Sequence, residues 1–210
     1  MQANKRVMEI HLHIVLRENA TFEVYDDERD YAAGPSISEV KQKAIEEMEK
    51  KHGKGCHVSF RFPYVEEEYQ ALYEKAANLM LEKHCGQVDK SGKPYYGHLI
   101  RVSQDVFTGK RKIVALLHDI VEDTDVTPEF LLQQGFPQEI VDAVIAISRK
   151  EDETYEDFID RVAQNKLATE VKLSDLEDNM NIFRLQEITE EDRLRLNRYL
   201  KAHRKLEELV

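Results

Sequence analysis

The chain has 210 residues, enough for one good-sized domain or for one domain and a small companion. Its 41% hydrophobic and 34% charged residues suit an ordinary globular protein, with no apolar run near the ~20 residues of a membrane span and no apolar signal core in MQANKRVMEIHLH. A net charge of −11 argues against a nucleic-acid polymer as partner, and Cys56 and Cys85, far apart in a chain with no export signal, read as reduced thiols of a cytoplasmic protein.

In chain order, Val7–Leu16 alternates in polarity and is rich in β-branched residues, which predicts a strand. Thr21–Tyr25 follows as a second strand after the turn Glu18-Asn19-Ala20, and Asp26–Ser36 reads as a loop. Ser36 then opens a helix as N-cap, with Glu39 completing a capping box and Ile37, Val40, Ile45 and Met48 as its apolar stripe; Gly53 and Gly55 stop it. His57–Tyr64 alternates again. Residues 1–65 are therefore expected to form a small β-β-α-β module of unknown role.

From Glu66 onward helical periodicity takes over. Tyr69, Leu72, Tyr73, Ala76, Leu79 and Met80 share one face of a helix that ends near Gly86, and Gln87–Gly97 is a loop punctuated by Ser91-Gly92 and Pro94. Helices are expected over His98–Phe107 and Lys110–Asp123, hinged at Gly109, then from Thr127-Pro128 to Gly135. Pro137–Ser148, Thr154–Asn165, Leu167–Arg184 and Thr189–Leu209 complete the set. The fold class is α+β: an all-α domain over 66–210 behind the small module.

Charge is unevenly spread. Between Lys83 and Lys112 seven basic residues face two acids, so that segment is +5 in an acidic chain. Such a patch fits a small anionic substrate as well as it fits chance clustering on solvated faces.

The run LLHDIVEDT, Leu116–Thr124, places His118 beside Asp119 and Glu122 beside Asp123 one turn on, directly after the apolar Ile113–Leu117. His98, His118, Asp119 and Asp175 make a fourfold candidate set for one divalent ion, with zero net charge in the shell and mixed N/O donors that suit Mn²⁺, Fe²⁺ or Zn²⁺ rather than Ca²⁺. An ion so held would lower the pKa of a water and neutralise charge developing on phosphorus. Glu122 and Asp123 are placed to orient or deprotonate that water, and Asn179 shares a helix face with Asp175.

Three stretches carry a resemblance: HCGQVDKSGKPYYGHLIRV (His84–Val102), ALLHDIVEDT (Ala115–Thr124) and VKLSDLEDNM (Val171–Met180). In this order they resemble the HD superfamily of metal-dependent phosphohydrolases, and more narrowly the hydrolase domain of RelA/SpoT-type alarmone enzymes and their small stand-alone relatives, over roughly residues 66–184. The resemblance implies that His98, His118, Asp119 and Asp175 hold one ion, usually Mn²⁺, that Glu122 and Asp123 activate the attacking water, and that Lys90, Ser91 and Asn179 lie at the substrate. The implied reaction is removal of pyrophosphate from the 3′ position of guanosine tetraphosphate (ppGpp) or pentaphosphate.

Two positions depart from the family. Asp89 stands where arginine usually lies against the guanine base, which reverses a charge and removes a planar stacking surface, and Ile182 stands where a threonine often faces the nucleotide. The expected function is therefore a cytoplasmic phosphohydrolase acting on ppGpp. Two alternatives stay open: an HD phosphatase for another nucleotide such as NADPH or a nucleoside monophosphate, and a non-catalytic nucleotide sensor. Only closing helices follow residue 184, so the chain is expected not to make the alarmone; the sequence leaves its oligomeric state undetermined.

Overall fold

In the computed structural model, which describes residues 9–26, 29–54, 56–185 and 187–210, the first alternating run forms strand β1 (Glu9–Leu16). Its Leu12, Ile14 and Leu16 are buried on one face, as a period of two requires. Strand β2 (Phe22–Tyr25) pairs with it antiparallel, with Leu16 opposite Phe22 and His13 opposite Tyr25. The segment expected as a loop contains a third strand, β3 (Asp30–Gly34), paired antiparallel to β2. Its sequence, DYAAG, has no β-branched residue, so its strand character comes from pairing with β2 rather than from propensity. The module is thus β-β-β-α-β, not β-β-α-β.

Helix α1 (Ile37–His52) starts where Ser36 accepts a hydrogen bond from the Glu39 amide, and strand β4 (His57–Arg61) returns parallel to β1 for a sheet order β3-β2-β1-β4. The helix buries Ile37, Val40, Ala44 and Met48. Ala44 takes the place expected of Ile45 because the stripe follows the helical period along its length. Val7 and Met8 of the predicted strand, residues 27 and 28 of the predicted loop, and Gly55 lie outside the described residues.

The chain divides into two compact units, Met1–Val65 and Glu66–Val210, and the second is helical. Its elements are α2 (Gln70–Lys83), α3 (Tyr96–Asp105), α4 (Gly109–Leu117), α5 (Ile120–Asp123), α6 (Pro128–Gln133), α7 (Gln138–Ile147), α8 (Tyr155–Val162), α9 (Lys166–Asn179) and α10 (Glu190–Glu207). Central in this unit is α4, which packs against α2, α3, α7 and α9 and buries every side chain of Ile113–Leu117. A full capping box, Thr189 with Asp192, starts α10. No helix of the described residues is long and apolar enough to cross a membrane.

Gly109 sits where backbone and neighbour come close. Its amide donates to Glu66 Oε2 at 2.6 Å, and a Cβ there would lie 2.8 Å from Tyr69 Cβ. The start of the helix that ends in the His-Asp pair therefore depends on a missing side chain. Gly109→Ala is expected to lower stability by about 1–3 kcal/mol, the usual cost of overpacking, read as a lower urea midpoint.

Candidate metal centre

The predicted helix Lys110–Asp123 is interrupted: α4 ends at Leu117, His118 and Asp119 form a turn, and α5 resumes at Ile120. Asp119 has φ −102° and ψ 0°, the bridge region in which many functional residues sit. The turn leaves His118 fully buried and Asp119 partly exposed.

His118 Nδ1 lies 2.7 Å from the Ala115 carbonyl, a contact that needs hydrogen on Nδ1 and leaves Nε2 as a lone pair. That Nε2 is buried and has no hydrogen-bond partner. His98, in the first turn of α3, points its own Nε2 to within 3.0 Å of Asp175 Oδ1, and His118 Nε2 is 3.5 Å from the same oxygen. These three residues are all buried, and their ligand atoms lie within 4.8 Å of one another. Two neutral imidazoles and one carboxylate that converge on a point, one nitrogen an orphan, fit a divalent ion with room for further donors.

The fourth expected ligand, Asp119, is outside that close group. Its Oδ2 is 3.1 Å from His118 Nε2 and also accepts the Tyr95 hydroxyl, so it borders the same point from the turn side. Burial alone would raise the Asp119 carboxyl, but the charge of the facing His118 overcomes this and holds it low.

Helix α9 supplies the other wall. Lys172, Asp175 and Asn179 are spaced by three and four and share a face. The buried Asp175 accepts from Lys172 Nζ on Oδ2 and from Asn179 Nδ2 on Oδ1, each at 2.6 Å. Burial opposes its charge, but Lys172, His118 and His98 hold it well below the ordinary carboxylate range. Burial likewise opposes a charge on His98 and His118; the carboxylates of Asp175, Asp178 and Asp119 outweigh it and raise both imidazoles.

A cavity of about 360 Å³ opens beside the centre, and His98, Lys90, Ser91 and Asn179 all line it. The loop between α2 and α3 is shaped by Asp89, whose Oδ1 accepts from Ser91 N at 2.8 Å, Ser91 Oγ at 2.6 Å and Lys93 N at 3.0 Å. Asp89 is thus the keystone of the turn that carries Lys90. Glu122 and Asp123 are exposed and do not line this cavity; Glu122 Oε2 accepts the Arg149 amide at 2.8 Å. Shielding of their carboxyl ends, together with the like charge of Asp119, raises both above the usual range.

The basic patch read from the sequence is largely neutralised. Lys83 pairs with Asp125, Lys110 with Glu139, Arg111 with Glu170 and Arg101 with Asp178, while Lys112 is buried and donates to the Ser103 carbonyl. Lys90 remains at the cavity, joined there by Arg184 and Arg195, which the sequence reading did not single out. Asp178 and Lys172 were also passed over. Both lie in a helix crowded with charges, and only the spacing from Asp175 marked them.

Because protons and a divalent ion compete for His98 and His118, metal uptake is expected to release protons and to weaken as pH falls through the raised imidazole range. Calorimetric titration with Mn²⁺ in buffers of different protonation enthalpy checks this; a heat independent of buffer would remove the two histidines from the ligand set.

No protein-family model matches the chain. It is 31% identical over 131 residues to a guanosine-3′,5′-bis(diphosphate) 3′-pyrophosphohydrolase of Aquifex aeolicus, a match that covers 57% of this chain and 18% of that protein. It is 29% identical over 130 residues to a probable GTP pyrophosphokinase of Mycobacterium leprae, covering 54% of this chain and 16% of that one. The chain thus spans less than a fifth of the length of these curated relatives. Among solved structures, a metazoan ortholog of SpoT, described as hydrolysing ppGpp, superposes with a TM-score of 0.56 at 24% identity over 65% of this chain and 85% of its own. In motif order and over these partial alignments the chain is similar to RelA/SpoT-type proteins, and it shares the fold of the SpoT ortholog.

Proposed function

We propose that the unit 66–210 is a cytoplasmic, Mn²⁺-dependent phosphohydrolase that removes pyrophosphate from the 3′ position of ppGpp. The observation that carries the reading is the convergence of His98 Nε2, His118 Nε2 and Asp175 Oδ1 beside a cavity lined by Lys90, Arg184 and Arg195. Similarity to a named ppGpp 3′-pyrophosphohydrolase supports the substrate. Free Cys56 and Cys85 suit a reducing compartment.

His98, His118, Asp119 and Asp175 would hold the ion, whose part is Lewis acidity toward a phosphoryl oxygen and a lowered pKa for a nearby water. The chain's own residues do the rest. Lys90 and Arg195 hold the anionic substrate at the cavity, and Ser91 and Asn179 orient it by hydrogen bonds. Water adds to the phosphorus of the 3′ group while the bond from that phosphorus to the ribose 3′ oxygen breaks. Glu122 or Asp123 takes the water's proton and solvent supplies one to the departing 3′ oxygen, giving GDP and pyrophosphate. A carboxylate whose pKa is raised toward neutrality is a better base at physiological pH than an ordinary one.

Asp89 in the nucleotide loop favours keeping a second reading, a phosphatase for NADPH or a nucleoside monophosphate, since no arginine is offered to the base at that position. The two readings separate on a panel of ppGpp, NADPH and nucleoside mono- and triphosphates with Mn²⁺. Pyrophosphate from ppGpp alone is expected; orthophosphate from another member would reassign the substrate. Silence throughout, with metal bound, would favour a sensor.

Glu122→Gln is expected to lower kcat by about 10²–10⁴-fold while leaving Mn²⁺ affinity intact. In the wild-type protein kcat should rise with pH through a group above the ordinary glutamate range, because the base form is the active one and its pKa is raised. Wild-type turnover in the Gln variant would rule out the role given to Glu122.

A further inference from the structure

His98 uses both ring nitrogens. Nε2 faces Asp175 at 3.0 Å, on the side of the candidate ion, and Nδ1 lies 2.6 Å from Asp178 Oδ2 on the other side. A carboxylate at that distance from Nδ1 holds a hydrogen there, so that with an ion at Nε2 the ring presents Nε2 as a lone pair. His118 obtains the same tautomer from a backbone carbonyl, so the two histidines are set by different means. Only one of them depends on a side chain that substitution can remove.

Asp178 does more than face His98. Its Oδ1 accepts Arg101 Nε at 2.7 Å and its Oδ2 accepts Arg101 Nη2 at 3.1 Å, a two-pronged grip that fixes the carboxylate plane. Arg184, from the turn after α9, brings Nη2 to 3.2 Å from Oδ2 and donates to the Asp178 carbonyl as well. The other end of that guanidinium, Nη1, lies 3.9 Å from Asp89 Oδ2, and Asp89 organises the turn that carries Lys90 and Ser91. A continuous series of contacts thus runs from the metal side of His98 to the substrate-facing loop. With His98 neutral it contains two arginines and two aspartates and is balanced in charge, and its hydrogen bonds offset the desolvation of these groups.

We propose that Asp178 is a positioning residue shared by two sites: it fixes His98 in the tautomer that presents Nε2 to the ion, and through Arg184 it steadies the 89–93 turn at the cavity. The inference rests on the metal reading above and on no particular substrate. It gives Asp178 a branched role. Loss of its carboxylate affects the ion and the cavity together, whereas loss of Arg184 affects the cavity alone.

The test is Mn²⁺ calorimetry on the full chain without nucleotide, followed by steady-state kinetics on ppGpp at saturating Mn²⁺. Asp178→Asn is expected to weaken Mn²⁺ binding by about 10–100-fold, the range found when the partner of a ligating histidine is removed. Arg184→Gln is expected to bind Mn²⁺ as the wild type does but to show a raised KM with kcat little changed. Thermal unfolding of each variant, compared with wild type, shows that the fold persists. Wild-type Mn²⁺ affinity in Asp178→Asn overturns the proposal, and so does an equal loss of affinity in Arg184→Gln, which removes the branch. A wild-type protein that binds Mn²⁺ but leaves ppGpp intact refutes the substrate reading while the calorimetry still decides this one. Failure of the wild type to bind Mn²⁺ overturns both.

Discussion

A buried carboxylate, Asp175, is the group on which the helical unit is organised. It lies almost out of solvent and is met by Lys172, Asn179 and His98, from α9 itself and from α3, while His118 Nε2 in the turn after α4 lies 3.5 Å away. An unpaired carboxylate at such a position would cost several kcal/mol, so the helices that deliver these partners are held to a fixed mutual register. The Lys172 ammonium balances its charge, and a divalent ion held between Asp175 and the two imidazoles would add to that balance.

That constraint explains why α4 is so apolar. Ile113–Leu117 bury all their side chains and pack α4 against four other helices, which fixes the position from which His118 leaves the helix. The break at His118 and Asp119 then turns His118 toward Asp175 of α9 and Asp119 toward His118 and Tyr95, while Ile120 returns to the core. A continuous helix would send His118 and Asp119 in directions about 100° apart, as the 3.6-residue period requires. Close packing upstream and a local departure from helix geometry together place the His-Asp pair.

The cavity beside this centre is built differently. Its turn is held by Asp89 through short-range hydrogen bonds, and its cations come from three separate parts of the chain: Lys90 in the turn, Arg184 after α9 and Arg195 in α10. Asp89, which replaces an arginine expected from the family, has become a structural acceptor and a neighbour of Arg184. The guanidinium groups at this cavity therefore arrive from other segments.

By itself the sequence determined the helical texture after Glu66, the apolar faces of β1 and α1 and the residue types of the candidate metal centre, because each is written in a local period or in a motif of fixed spacing. His118 with Asp119, and Asp175 with Asn179, were legible for that reason. Tertiary structure alone decided the third strand, since DYAAG pairs by proximity and not by propensity, and it also decided the fate of the basic patch, whose members are spent on acids far away in sequence. It singled out Asp178 from Glu177 beside it: one faces His98 from 80 positions away, while the other is exposed and meets His203. Adjacent acids on a helix differ by about 100° in direction, and only the packed neighbours say which direction leads to the site.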